Sequence, residues 1–61
     1  MAKVLIIDDD KELCAVLSTQ ITSMGHEAVA SLTLHEGYAL ILREPFDVVL
    51  LDVRLPDGNG P

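Results

Sequence analysis

Two apolar runs constrain this chain more than any other feature. Val4-Leu5-Ile6-Ile7 and Val48-Val49-Leu50-Leu51 are each four β-branched or aliphatic residues without a polar interruption, and each is followed at once by aspartate. A strand with one wet face alternates polar and apolar side chains; a strand that does not alternate has both faces covered. Both runs are therefore predicted to be interior strands of a parallel sheet with helices over each face. Glu27-Ala28-Val29-Ala30 is shorter and less apolar, and reads as an edge strand.

The segments between these runs carry helical periodicity. Leu13, Leu17, Ile21 and Met24 recur at three- and four-residue spacing from Lys11 to Met24, with Cys14 alongside. Asp9 or Asp10 can cap the start, and Asp9 with Glu12 fits an acidic variant of the capping box. Gly25 suits the left-handed position that ends a helix. A second helix is predicted from Thr33, paired with Glu36, to about Arg43, with Pro45 as its stop. Gly37 inside it weakens it by roughly 1 kcal/mol relative to Ala. Its apolar residues wrap more than one side; for Tyr38 and Ile41, packing into the core is preferred over contact with a partner.

The order strand, helix, strand, helix, strand implies parallel strands joined by right-handed crossovers. With the second strand at an edge and the first in the centre, the predicted spatial order is 2-1-3 and the helices lie on opposite faces. This is an α/β fold, the first half of a doubly wound parallel sheet. The third strand is as apolar as the first and wants a neighbour on both sides. The expectation is that a fourth strand belongs there and that residues 1–61 form part of a larger domain.

Composition excludes several alternatives. Hydrophobic residues make up 49% of the 61, too many for a disordered tail. Ten Asp and Glu against four Lys and Arg give a net charge of −6, the opposite of a nucleic-acid footprint. No apolar run approaches the ~18 residues of a membrane span. One cysteine forbids an internal disulfide, and Cys14 within an apolar pattern reads as a small buried hydrophobe in a reducing, cytoplasmic compartment.

In order 2-1-3 the first and third strands are neighbours, and their C-terminal ends carry Asp8-Asp9 and Asp52. Ligand sites in open α/β sheets form at those ends. Converging carboxylates repel one another, and a divalent cation removes that cost. An all-oxygen set selects a hard ion, Mg²⁺ or Mn²⁺. The plainer alternative, that Asp8–Asp10 cap a helix and solvate a loop, accounts for one such residue better than for three. Pro56-Asp57-Gly58 is a strong turn signal, and Gly58-x-Gly60 reads as an ordinary turn rather than a phosphate loop. His26 and His35 read as solvated surface, and Asp47 as the residue leading into the third strand.

Ile6-Ile7-Asp8-Asp9-Asp10, Val48-Val49-Leu50-Leu51-Asp52 and Arg54-Leu55-Pro56-Asp57-Gly58-Asn59-Gly60 together resemble the receiver domain of bacterial two-component response regulators. The resemblance covers essentially the whole chain and implies a flavodoxin-like fold. The last stretch is similar to receivers of transcriptional regulators, including sigma-54-dependent activators. By resemblance, Asp52 is the phospho-acceptor, and Asp9 the principal Mg²⁺ ligand with Asp8 its acidic partner. The backbone carbonyl of Arg54 completes the metal set, and Pro56 and Gly58 shape the loop. The implied partner is a sensor histidine kinase, and the implied role is that of a signalling phosphoacceptor rather than an enzyme, although the intact family catalyses its own phosphorylation and dephosphorylation. Transcription would be controlled through an output domain outside this chain.

The family pattern also includes a Ser or Thr, a Lys and an aromatic switch residue in later strands, which no residue here matches, and Pro61 stands where a hydrophobic residue is usual. The expectation is therefore a fragment holding the acceptor and metal ligands, with the open edge of the third strand paired to another copy. Two alternatives remain. One is a structural or dimerisation fragment without phosphotransfer. The other is a dehalogenase-like phosphatase, which Arg54 in the place of its second acid argues against.

Overall fold

The computed structural model describes the backbone of residues 1–52 and the side chains through Leu51. The elements are β1 (Lys3–Asp8), α1 (Lys11–Ser23), β2 (Glu27–Ser31), α2 (Leu34–Arg43) and β3 (Val48–Asp52). All three strands are parallel, in the order β2-β1-β3, with Leu5 paired to Val29 on one side and to Val49 on the other. This is the α/β topology that the strand patterning predicts. Arg54, Pro56, Gly58 and the turn they were read to form lie outside the described residues.

β1 is central because it has partners everywhere. Val4 to Asp8 are all buried, and Leu5, Ile6 and Ile7 are the largest fully buried side chains. Alternation along the strand then separates the two layers. Val4 and Ile6 pack with Cys14 and Ile21 of α1, backed by Leu17 and Ala28. Ile7, on the opposite face, meets α2 at Gly37. The helices therefore cover opposite faces, as two right-handed crossovers from a central strand require.

The helix ends follow from short polar side chains and one glycine. Asp10, in extended conformation, is the N-cap of α1, and its carboxylate accepts from the amides of Glu12 and Leu13. The Asp9–Glu12 pairing is thereby excluded, because the cap sits one residue later. At the other end Gly25 has φ +88°, the Gly25 amide donates to the Thr22 carbonyl and the His26 amide to that of Ile21. This is the six-to-one and five-to-two pattern of a Schellman ending. Thr33 caps α2 and accepts from the Glu36 amide at 3.1 Å.

Four expectations are corrected. Met24 is exposed and is not part of the α1 stripe; it is the C-cap residue, so its side chain has left the helical face. Tyr38 and Ile41 are also exposed, because α2 turns Gly37 rather than its large residues to the sheet. Val48 to Leu51 remain 40–60% exposed. β3 has β1 on one side only among the described residues. His26 is half-buried, and its Nδ1 accepts from the Ala2 amide at 2.9 Å.

That last bond belongs to a clamp at the N-terminal end of the sheet. The Glu27 amide donates to the Ala2 carbonyl, the Asp47 amide to the Lys3 carbonyl, and the Lys3 amide to Asp47 Oδ2 at 2.7 Å. Asp47 thus leads into β3 and also ties it to β1. Lys3 Nζ pairs with Glu44 and lies over the Phe46 ring, and the Glu44 carboxylate holds the ammonium above its usual pKa range.

Gly37 generates a prediction. A Cβ on Gly37 would stand 2.6 Å from Ile7 Cγ1, against a buried β-branched side chain that is stiff at χ1. Overpacking costs typically ~1–3 kcal/mol, against a helix-propensity gain of ~1 kcal/mol. Gly37→Ala is expected to lower stability by up to about 2 kcal/mol, and Ile7→Val in the same chain to recover part of it. Urea unfolding of the single and double variants measures both effects.

Candidate functional site

The C-terminal end of the sheet gathers acid. Asp8 closes β1 and Asp52 closes β3, and the two are paired across the parallel ladder. Residues 44 positions apart in sequence thus reach one rim through strand register alone. Asp9 follows on the connection to α1 and is exposed.

Asp8 is only 2% exposed. Its Oδ1 accepts from the Asp10 amide at 2.9 Å, and its main-chain carbonyl accepts from the Cys14 thiol at 3.4 Å. Its Oδ2 is buried with no hydrogen-bond partner among the described residues. A buried carboxylate oxygen without a donor is costly, by roughly 1–3 kcal/mol or more for a charged group. Such a group calls for a partner: a cation, a water, or a donor from elsewhere in the chain.

That orphan oxygen fits a hard cation, because Asp8, Asp9 and Asp52 offer oxygen donors only. Among the described residues, no three His, Cys, Asp or Glu side chains assemble into a metal cluster. Asp8 and Asp9 supply two carboxylates. Asp52 is brought to the rim by its backbone, and Arg54, the predicted carbonyl ligand, lies outside the described residues. Sequence reasoning marked Asp8 by type and spacing. The hold that Cys14 and the Asp10 amide exert on it carried no sequence signal, since both contacts depend on how α1 leaves the end of β1.

Cys14 lies against this corner. Burial, with Asp8 and Asp10 nearby, pushes its thiol above the usual range, the bond to the Asp8 carbonyl opposing in part. It is a free cysteine packed between α1 and β1. The native thiol is accordingly expected to react with iodoacetamide on the order of tenfold or more slowly than the denatured chain at the same pH. Equal rates in the two states would show that the corner around Asp8 is open.

A match to the response regulator receiver domain family spans residues 4–61. The chain is 38% identical over 58 residues to response regulator protein PilR of Pseudomonas aeruginosa, covering 95% of this chain and 13% of PilR. It is 37% identical over 59 residues to response regulator protein FleR of the same organism, covering 97% of this chain and 12% of FleR. Protein PilH, also from P. aeruginosa, is 35% identical over 60 residues, which is 98% of this chain and 50% of PilH. The chain thus spans about an eighth of the length of PilR and FleR and half that of PilH. No solved structure matches it.

Proposed function

Because the chain belongs to the response regulator receiver family, we propose that it is a phosphoacceptor of two-component signalling whose acceptor is Asp52, served by a sensor histidine kinase. The observation that carries this reading is the pairing of Asp52 with a buried Asp8, one of whose oxygens has no partner among the described residues, at the end of a parallel sheet. In the transfer, an Asp52 carboxylate oxygen attacks the phosphorus of the kinase phosphohistidine. The O–P bond forms as the N–P bond breaks, and the electron pair returns to the imidazole nitrogen, which is reprotonated from solvent. The product is an acyl phosphate, which water later hydrolyses. Asp8, Asp9, Asp52 and the Arg54 main-chain carbonyl are the groups that would hold Mg²⁺. Bound there, the ion offsets charge on the transferring oxygens.

Phosphorylation adds roughly −1.5 to −2 charge at the sheet end, enough to bias a neighbouring element with two packings. We place the chain in the cytoplasm; no described helix is long and apolar enough to cross a membrane. Control of transcription follows the name of a relative 30% identical over 57 residues, transcriptional regulatory protein ZraR of Salmonella typhimurium.

Acetyl phosphate with Mg²⁺ is expected to add one phosphoryl group by mass, and Asp52→Asn to abolish the gain. Chelating the metal slows labelling on the order of a hundredfold. A folded sample that stays unmodified would favour a structural or dimerisation role, and repeated turnover of a chromogenic phosphoester would favour a phosphatase.

A second reading concerns β3, whose Val48 to Leu51 are about half exposed beside an outer edge unpaired among the described residues. A second copy pairing its own β3 there would cover them. Sedimentation is expected to give a dimer, and a monomer at all concentrations rejects self-association.

A further inference from the structure

Asp10 belongs to the acidic run, yet its carboxylate is already engaged. Its Oδ1 accepts from the Glu12 amide at 3.0 Å and from the Leu13 amide at 3.2 Å, and its carbonyl accepts from the Cys14 amide at 3.0 Å. These bonds hold residue 10 in extended conformation, with φ −96° and ψ 107°. In that conformation its own amide donates to Asp8 Oδ1. One oxygen of the Asp8 carboxylate is thereby occupied, while the other is buried without a partner among the described residues.

We propose that Asp10 is a positioning residue: by capping α1 it fixes its amide on Asp8 Oδ1 and so presents Asp8 Oδ2, alone, to a divalent cation. This rests on the reading that Asp8 belongs to the cation site. It assigns the third aspartate a role different from the first two. Asp8 and Asp9 serve through their carboxylates toward the ion, whereas Asp10 serves through the geometry of its cap, and its charge is dispensable. A cap is worth having at this point because the last residue of β1 and the first turn of α1 are only two residues apart. Any fraying of α1 would free residue 10 and let the Asp8 carboxylate rotate.

The test separates cap from charge. Asp10→Asn keeps a capping side chain and removes the charge; Asp10→Ala removes both. Thr33→Ala, which removes the cap of the other helix and leaves Asp8, Asp9 and Asp10 unchanged, controls for general loss of stability. Mg²⁺ titration followed by the Asp9 amide resonance is expected to show a Kd about tenfold weaker for Asp10→Ala. Asp10→Asn and Thr33→Ala should leave the Kd within about twofold of the parent. Without metal, hydrogen exchange at the residue 10 amide should speed up in Asp10→Ala but not in Asp10→Asn. Asp10→Asn weakening the ion as much as Asp10→Ala would overturn the proposal, since the charge would then be what matters. So would an unchanged Kd in Asp10→Ala. If Asp10→Ala does not fold, Asp10→Asn decides alone: a retained Kd supports the cap, a weakened one rejects it. A parent that binds no Mg²⁺ while residue 10 keeps its slow exchange overturns the cation reading, and with it this use of the cap.

Discussion

The structure depends on burying β1 on both faces and pairing it on both edges. Leu5, Ile6 and Ile7 are fully enclosed, and each such side chain contributes ~1.5–3 kcal/mol by leaving water. Every other element is placed by that strand. β2 and β3 take its two hydrogen-bonding edges, α1 covers Val4 and Ile6, and α2 covers Ile7. The N-terminal end is tied by main-chain bonds from Ala2 and Lys3 to both neighbouring strands. The opposite end is left for polar groups, and there the buried strand ends on a buried acid. A carboxylate in that position is unfavourable without partners. The packing of three aliphatic neighbours holds it in place.

The two helices are held to the sheet in different ways. α1 inserts Cys14 and Ile21 between side chains of β1 and is fixed at both ends by local bonds, at Asp10 and at the Gly25 turn. α2 meets Ile7 at Gly37, a residue without a side chain, so that Ile7 fits where a Cβ would otherwise stand. Gly37 lowers intrinsic helicity and permits the approach. Propensity and packing act in opposite directions at this residue, and packing prevails because Ile7 is buried where a Cβ would stand.

Much of this was legible in residue order. The non-alternating runs marked the strands, Thr33 and Gly25 marked helix limits, and an edge-like second strand beside a central first one implied the order 2-1-3. The candidate site was legible to the same extent: Asp8 and Asp52 end runs that had to be adjacent if the order held. The readings that missed concern packing at a distance. His26 resembles any polar residue after a helix-ending glycine, and its bond to the Ala2 amide depends on the arrival of a segment 24 residues away. Tyr38 and Ile41 lie in an apolar pattern that wraps α2, and periodicity does not say which side Gly37 will turn to the sheet.

The sequence by itself determined the element types, their limits and their parallel order, because hydrophobic period, capping residues and crossover handedness act over a few residues or along one connection. It also determined that β1 and β3 would each end on an aspartate at one end of the sheet. Tertiary structure alone decided how those acids differ. Asp8 is buried with one oxygen held and the other without a partner among the described residues, Asp9 is exposed, and Asp10 is spent on the helix. Three identical side chains in a row carry no difference in sequence. They acquire one only when a buried strand stops, a helix starts, and the amides between them turn toward particular oxygens.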